Sequence, residues 1–256
     1  SQPFYVLVDR FNPLMDVTFD GKHIIDGDIV SPDPEILVEV NDENPLIALD
    51  DTTSFELYFK RGTLNTGSTP RIFLDDPRVV WVPATLPQNK AQLFFYPGRG
   101  VDGFLEDDEY VLKVQGRDKQ GNTAGSGNNT YEITFRVENE SSITRILNYP
   151  NPFSTSTRFV YTLAGAQVPE VFQIHIYTIS GKLVKVIDLA AEGDVAIGQN
   201  ITNYAWDGTD EYGDKLANGV YLYKTIIQMP GEQVKNREVG IDKFFNNDWG
   251  KMYIMR

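Results

Sequence analysis

The chain alternates between short apolar runs and turn signals, and this pattern predicts strands rather than helices. No stretch of ten or more residues carries an apolar stripe at i, i+3, i+4 and i+7, and 21 Gly and 14 Pro interrupt the whole length. Turn dipeptides such as Asp20-Gly21 and Gly121-Asn122 separate runs rich in β-branched and aromatic residues. In the first half these runs are Leu14–Phe19, Glu35–Val40, Ser54–Lys60, Val79–Val82, Ala91–Tyr96, Glu109–Gln115 and Tyr131–Val137. Short strands at this spacing are typical of a β-sandwich.

One tyrosine refines this prediction. Tyr110 follows an acidic turn and opens the alternation Tyr110, Leu112, Val114. A strand that begins this way in an immunoglobulin-like sandwich carries a tyrosine corner, in which the hydroxyl bonds back to the chain just upstream. We therefore interpret Tyr110 as structural and the first half as immunoglobulin-like.

A polar seam, Glu138–Ser142, separates this region from a second β-set and predicts a domain boundary. The second set of runs is Ile143–Tyr149, Thr157–Leu163, Val171–Ile179, Lys182–Leu189, Asn203–Trp206, Gly219–Gln228 and Val234–Val239. The prediction is all-β, with two tandem immunoglobulin-like sandwiches. It assigns 1–13 to an extended segment, 14–140 to the first sandwich, 143–239 to the second and 240–256 to a C-terminal tail.

Composition removes several classes of function. The chain has 256 residues and a net charge of −13, so it repels phosphate backbones and is not expected to bind nucleic acid. It has no Cys, which excludes disulfides, thiolate metal sites and a Cys nucleophile. No apolar run approaches the about 18 residues of a membrane-spanning helix. Because the chain opens at Ser1-Gln2-Pro3, we expect it to be part of something longer.

Catalytic motifs are not evident. The chain has two histidines: His23 sits in a turn region and His175 in an alternating strand, and neither belongs to a Gly-x-Ser-x-Gly or His-Glu-x-x-His motif. We therefore predict a non-enzymatic role with no cofactor. Acidic turns supply weak Ca²⁺ candidates, although none has the Asp-x-Asp-x-Asp-Gly spacing. They are Asp107, Asp108, Asp207, Asp210 and Asp214.

The segment Trp206–Gly213 predicts a tight, self-satisfied loop. Gly208 and Gly213 permit positive φ, and the aspartates can accept bonds from backbone N–H groups two residues on. Trp206 is then available to plug the core beneath the loop. Asn218-Gly219 turns directly into a strand that alternates Val220 and Leu222 with Tyr221 and Tyr223.

The second half closely resembles the FlgD-type immunoglobulin-like module and the C-terminal sorting domains of type IX secretion cargo in the Bacteroidota. Four ordered motifs carry the resemblance: 148–153 (NYPNPF), 157–163, 174–184 and 206–223. The residues matched as structural are Asn151, Pro152, Phe153, Gly181, Trp206, Asp207, Gly208, Gly213, Gly219 and Tyr221. The first half, around 15–45, and the end of the chain are similar to the gingipain-like (C25 peptidase) group that includes relatives of the sortase PorU.

The resemblance implies a location on the cell surface, associated with the outer membrane, and docking to a PorV-like outer-membrane β-barrel. The C25 chemistry needs a Cys/His pair, so without Cys any peptidase domain would lie upstream. We expect the tail to dock, its end strand adding to a sheet edge. The candidate contacts are Lys243, Phe244, Phe245, Trp249, Lys251, Met252, Tyr253, Ile254 and Arg256.

Two alternatives stay open at this point. The aromatic side chains of the tail fold back onto their own core, in which case the tail is structural. Alternatively, the chain is an extracellular adhesion or carbohydrate-binding module that uses Trp81 or exposed tyrosines as stacking platforms.

Overall fold

The computed structural model describes residues 9–62, 68–99, 103–124, 130–144, 146–193, 195–231 and 249–256, and the backbone of 235–237. The chain divides into two compact units, Ser1–Val137 and Glu138–Arg256, called here the first and the second sandwich. The described part contains strands and a single 3-10 turn, Thr52–Ser54, so the all-β prediction is confirmed. No described residues form a helix with the length and apolarity needed to cross a membrane.

The first sandwich pairs two antiparallel sheets around one apolar core. Its strands are β1 Leu14–Phe19, β2 Asp28–Val30, β3 Ile36–Asn41, β4 Phe55–Arg61, β5 Arg71–Ile72, β6 Val79–Val82, β7 Lys90–Phe95, β8 Asp108–Gly116 and β9 Tyr131–Val137. One sheet has the order β1-β3-β7-β6 and the other β2-β9-β8-β4-β5, in which only β2 and β9 run parallel. Alternate residues of each strand face inward, as in β3, where Ile36, Val38 and Val40 are fully buried.

The second sandwich has the strands β10 Ser142–Thr144, β11 Leu147–Tyr149, β12 Arg158–Ala164, β13 Val171–Thr178, β14 Leu183–Asp188, β15 Gly198–Ile201, β16 Gly219–Gln228, β17 Lys235–Arg237 and β18 Gly250–Ile254. One sheet has the order β11-β12-β10-β17, with β15 also pairing β12, and the other has the order β14-β13-β16-β18. The core between them includes Trp206 and Phe159, neither of which is exposed to solvent.

Two strand predictions were wrong. Asn203–Trp206 is not a strand, because the chain there turns to insert Trp206 and keeps a single bridge to Thr157. The pairing strand is instead β15, whose sequence Gly-Gln-Asn-Ile has Ile201 as its single strong β-former. The run Ile143–Tyr149 forms two strands, β10 and β11, rather than one.

Both sandwiches contain a tyrosine whose hydroxyl returns to the chain four residues upstream. The hydroxyl of Tyr110 donates to the Glu106 carbonyl at 3.0 Å, and the hydroxyl of Tyr221 donates to the Ala217 carbonyl at 2.9 Å. This is the geometry of a tyrosine corner. In the first sandwich the Tyr110 ring also stacks on Phe59, with a centroid distance of 5.5 Å.

Candidate partner-binding face

The last strand of the chain lies inside the second sandwich. β18 pairs with β16 in antiparallel register from Gly219↔Ile254 to Tyr223↔Gly250. Met252 and Ile254 are 0% and 1% exposed and contribute to the core. The expectation that these two side chains contact a partner is therefore corrected, because their alternation along β18 directs them inward.

The other edge of β18 is also occupied. The side-chain amide of Asn151 donates to the Lys251 carbonyl at 2.9 Å and accepts from the Tyr253 N–H at 3.0 Å. Phe153 continues the pairing, since its N–H donates to the Tyr253 carbonyl and its carbonyl accepts from Met255. The Asn-Pro-Phe motif thus supplies the hydrogen bonds of a missing neighbour strand. Strand addition by a partner at this edge, which we expected from the sequence, would have to displace these hydrogen bonds.

Arg256 is likewise used within the fold. Its guanidinium donates to the carbonyls of Asp207, Gly208 and Leu216, the last at 3.0 Å. Its backbone N–H and carbonyl both bond to the Asn218 side chain. Gly208 has a φ of +74°, which favours glycine, and an added Cβ there would push the Arg256 guanidinium aside. Arg256 therefore holds the Trp206 loop rather than reaching for a partner.

The remaining predicted contacts divide by position. Lys243, Phe244 and Phe245 lie outside the described residues. Lys251 and Tyr253 are exposed, and Trp249 is half-buried.

Because Tyr221 and Tyr223 face the core, the alternate residues of β16 and its neighbours form the opposite surface, called here the outer face. It consists of His175, Tyr177, Val220, Leu222, Lys224, Trp249, Lys251 and Tyr253.

Aromatic rings and lysines interleave on the outer face. The Trp249 ring packs edge-on against Tyr177 with a centroid distance of 5.2 Å, and the Lys224 ammonium lies 5.5 Å from the Trp249 centroid. Lys251 lies 5.6 Å from the Tyr253 ring in the same way. Such cation–π pairs fix the rings while leaving the ammonium groups accessible. Tyr177 and Lys224, on β13 and β16, were missed from the sequence because only pairing register places them beside the tail.

The outer face, as defined by these eight residues, carries two lysines, whereas Asp188 on β14 lies farther along the same side of the sheet and accepts from Gln173. None of its eight residues is acidic, and within the described residues neither Lys224 nor Lys251 forms a salt bridge. The chain as a whole carries a net charge of −13. The arrangement therefore suits recognition of a surface that offers carboxylates beside apolar groups.

The residues matched by the family resemblance lie around the Trp206 loop and its neighbouring turns. Trp206 is 0% exposed, and its indole N–H donates to the Thr209 carbonyl at 2.9 Å. Gly213 has φ of +86°, and Gly208 and Gly181 also have positive φ. Asp207 accepts from the N–H of Thr209 at 3.2 Å, two residues on, as expected for a self-satisfied loop.

The predicted calcium ligands have other contacts. Asp210 accepts from the N–H groups of Tyr212 and Asp214 at 2.9 and 3.0 Å. Asp108 binds Arg61 at 2.6 Å, and this guanidinium holds the pKa of Asp108 below its usual value. Among the described residues, the acidic groups that do converge are Asp9, Asp42 and Asp118, with one oxygen of each within 4.8 Å of the others. Long-range contacts bring them together, so sequence spacing did not identify them.

The two histidines contact different kinds of side chain. His23 lies 2.7 Å from Asp16, and both are exposed. His175 contacts the Gln173 and Tyr177 side chains at 3.0 and 3.4 Å. Within the part of the chain described, neither is hydrogen-bonded to a hydroxyl nucleophile of Ser or Thr.

Trp81 would serve, with exposed tyrosines, as a stacking platform in the carbohydrate alternative. It is half-buried, and its ring packs at a tilt against Phe55 in the first core with a centroid distance of 4.6 Å. Part of the ring therefore contributes to core packing.

No family model and no curated protein matches the chain. Among solved structures, it is similar to dimeric latent PorU from Porphyromonas gingivalis at 18% identity and a TM-score of 0.35, covering 95% of this chain and 20% of that one. It is also similar to the FN1–FN3 domains of chicken CNTN1 (11%, TM-score 0.26, covering 96% and 67%) and to the BSP domain of a biofilm-associated protein (8%, TM-score 0.24, covering 95% and 51%). The chain spans about a fifth of the PorU chain. These likenesses are too low to assign a family.

Proposed function

We propose that this chain is a non-catalytic cell-surface module of a type IX secretion protein, and that its outer face docks onto a PorV-like outer-membrane β-barrel. The observation that carries the proposal is the aromatic and basic outer face around Trp249. The four motifs shared with type IX sorting domains all fall within the second sandwich, which presents this face.

The composition of the outer face supports binding rather than simple solvation. The solvent side of an antiparallel sheet is ordinarily polar. Here Tyr177, Leu222, Trp249 and Tyr253 line it, with lysines between them. Aromatic residues are enriched at the centres of protein interfaces, where they contribute much of the binding energy. The acidic balance of the rest of the chain makes the two lysines a local signal for an acidic partner.

The sealed edges of this sheet determine how docking would occur. Asn151 occupies the β18 edge, and Glu211 occupies the β14 edge by accepting from the Val186 N–H at 2.5 Å. Binding through side chains of the face leaves these bonds intact, whereas strand addition would break them. Truncation before Gly240 would remove β18 from the core, so point variants of the face are the appropriate test.

The experiment measures binding of the full chain to a purified PorV-like barrel in nanodiscs. We expect Trp249→Ala and Lys224→Ala each to weaken binding by about tenfold, as for residues central to an interface. Tyr212→Ala and Lys182→Ala are matched controls, because both positions are exposed and lie off the outer face. If the wild-type chain does not bind, the proposed partner is wrong. If it binds and the face variants match the controls, docking uses another surface.

Carbohydrate binding is a second candidate, and the Trp249–Tyr177 pair favours it. A flat indole beside a second ring, with Gln173 and His175 on the same side of the sheet, resembles a sugar-stacking platform with hydrogen-bonding groups nearby. A glycan array probed with the wild-type chain and with Trp249→Ala tests it. Specific glycans lost in the variant would favour this function over docking.

A further inference from the structure

An apolar groove lies on the first sandwich, at the end of the sheet where β1 begins. It is lined by Asp9, Arg10, Phe11, Glu43, Asn44, Pro45, Leu46 and Ile47, and encloses about 580 Å³. Phe11 and Leu46 are 71% and 72% exposed, and they lie together in one groove rather than singly on the surface. We call this feature the Phe11 groove.

Polar contacts fix the backbone of the groove independently of its apolar side chains. The Asn44 side chain accepts from the N–H groups of Leu46 and Ile47 at 2.9 and 3.2 Å, and donates to Asp9 at 2.6 Å. Beneath it, the fully buried Asn89 donates to the carbonyls of Asn44 and Ile47 at 2.7 and 2.9 Å. The loop therefore presents Leu46 to solvent in one fixed arrangement. A preorganised apolar side chain loses little conformational entropy when a partner covers it.

The groove is also strongly acidic on one side. Asp9 and Glu43 lie on its rim, and oxygens of Asp42 and Asp118 lie within 4.8 Å of Asp9. Within the described residues no salt bridge neutralises any of these four carboxylates. Burial, together with the charges of Asp9, Asp118 and Glu43, raises the pKa of Asp42 above its usual value. Among the described residues, Arg10 is the one basic residue that lines the groove.

The carboxylates of this cluster already accept hydrogen bonds from the chain. Both oxygens of Asp9 accept an N–H, one from Phe11 and one from Asn44. Both oxygens of Asp118 do so as well, from Gln120 and Asn122. These bonds hold the carboxylates in place, and each Asp9 oxygen keeps a lone pair that can accept from a cationic side chain at the rim.

We infer that the Phe11 groove binds an extended segment of a partner protein that places a large apolar side chain between Phe11 and Leu46 and an adjacent Lys or Arg beside Asp9 and Glu43. Charge complementarity selects this occupant, because two carboxylates, Asp9 and Glu43, line the groove beside one arginine, and the buried carboxylates of Asp42 and Asp118 lie behind Asp9. A second copy of the chain is disfavoured, since two copies carry −13 each. This inference does not depend on the proposed function, which concerns the second sandwich.

The test pans the immobilised full chain against a phage library of random dodecapeptides and measures the enriched peptides by fluorescence anisotropy. We expect enrichment of a Lys or Arg next to a large apolar residue. Leu46→Ser and Phe11→Ser should each weaken binding by about tenfold. Phe73→Ser is the matched control, because Phe73 is 62% exposed and lies outside the groove. Glu43→Gln should cause a smaller loss that disappears at high salt, whereas Glu192→Gln should cause none.

Four results would overturn the inference. Enriched peptides that are acidic, or that bind Leu46→Ser and wild type equally, would show that the groove is not the site. Equal losses in Phe73→Ser would indicate nonspecific adhesion. Calcium binding by calorimetry that displaces the peptide and is lost in Asp42→Asn would make the carboxylates a metal site. A tenfold gain in peptide affinity on removing residues 1–8 would identify the chain's own N-terminal segment as the occupant.

Discussion

The two sandwiches differ in whether their buried polar side chains include carboxylates. The first buries Asp42 and Asp118 close to a third carboxylate, Asp9, in addition to the neutral Asn89. Among the described residues of the second, the buried polar side chains are neutral: Asn200, for example, bonds to the carbonyls of Ala196 and Gly198, and Thr202 bonds to Tyr204. Neutral groups satisfied by backbone stabilise at any pH, whereas converging carboxylates oppose folding when ionised. The first sandwich therefore contains a cluster of carboxylates whose ionisation does not help the chain to fold.

The surfaces available for binding differ in the same way. The second sandwich closes both edges of its β14-β13-β16-β18 sheet with loop groups, Glu211 at one edge and Asn151 with Phe153 at the other. Its outer face is therefore the surface of this sheet that is open to a partner. The first sandwich offers a groove built on a rigid loop around Asn44. The two sites that we propose would therefore bind different kinds of partner segment, a folded surface at the face and an extended chain at the groove.

The largest expected effect concerns the tryptophans of the two units. Trp206→Ala should destabilise the second sandwich by about 3–5 kcal/mol, because the ring is fully buried, contacts Phe153 and donates to Thr209. Trp81→Ala should cost the first sandwich less, since Trp81 is half-buried. Hydrogen exchange with mass spectrometry across a urea series reports each unit through its own peptides. Equal losses of stability for the two variants would mean that Trp206 is no more important to its core than the half-buried Trp81.

The next largest effect tests whether the end of the chain is core. A Cβ at Gly250 would overlap the Tyr223 ring, and that ring is buried with its hydroxyl bonded to the Ile146 carbonyl at 2.8 Å. Gly250→Ala should therefore destabilise the second sandwich by about 1–3 kcal/mol through overpacking. Lys251→Ala, at the adjacent exposed position, is the control and should change stability little. The same exchange experiment measures both, and an unaffected Gly250→Ala would place β18 elsewhere.

Sequence pattern predicted the fold well because strand alternation is local. The periods of β3 and β16, the buried Trp206 and the positive φ of Gly213 all follow from residue type and spacing. The outer face and the Phe11 groove could not be predicted so directly. Tyr177 meets Trp249 through strand register, and Asp9 meets Asp118 through contacts more than 100 positions apart. Met252 was misassigned because the alternation of apolar residues along β18 does not tell whether they pack on the chain's own core or on a partner. Arg256 was misassigned because its partners, such as the Leu216 carbonyl, are distant in sequence.

A smaller effect should be equal in the two units. Tyr110→Phe and Tyr221→Phe each remove one hydroxyl bond to a backbone carbonyl, at 3.0 and 2.9 Å, and leave the rings in place. Each variant should lose about 1 kcal/mol in its own sandwich and nothing in the other. Urea midpoints of the two units, read from their separate peptides, check this. A loss in only one unit would show that the two corners are not equivalent.

The smallest expected effect has the opposite sign and depends on pH. The folded state raises the pKa of Asp42 from an ordinary value of 3.8, chiefly through burial and then through the neighbouring carboxylates. A folded pKa above the unfolded one means that the folded state holds the proton more tightly, so ionised Asp42 costs stability above the raised pKa. Asp42→Asn removes this charge and should stabilise the first sandwich slightly at pH 7. The gain should shrink as the pH falls through the raised pKa towards 3.8, where wild-type Asp42 is itself protonated.

Asp51→Asn is the contrasting control, because the Thr53 N–H lowers the pKa of Asp51 and its charge therefore stabilises the fold at neutral pH. Urea unfolding of the first sandwich between pH 4 and 7 gives both profiles. A loss of stability in Asp42→Asn at pH 7 would show that a bound cation already neutralises the cluster.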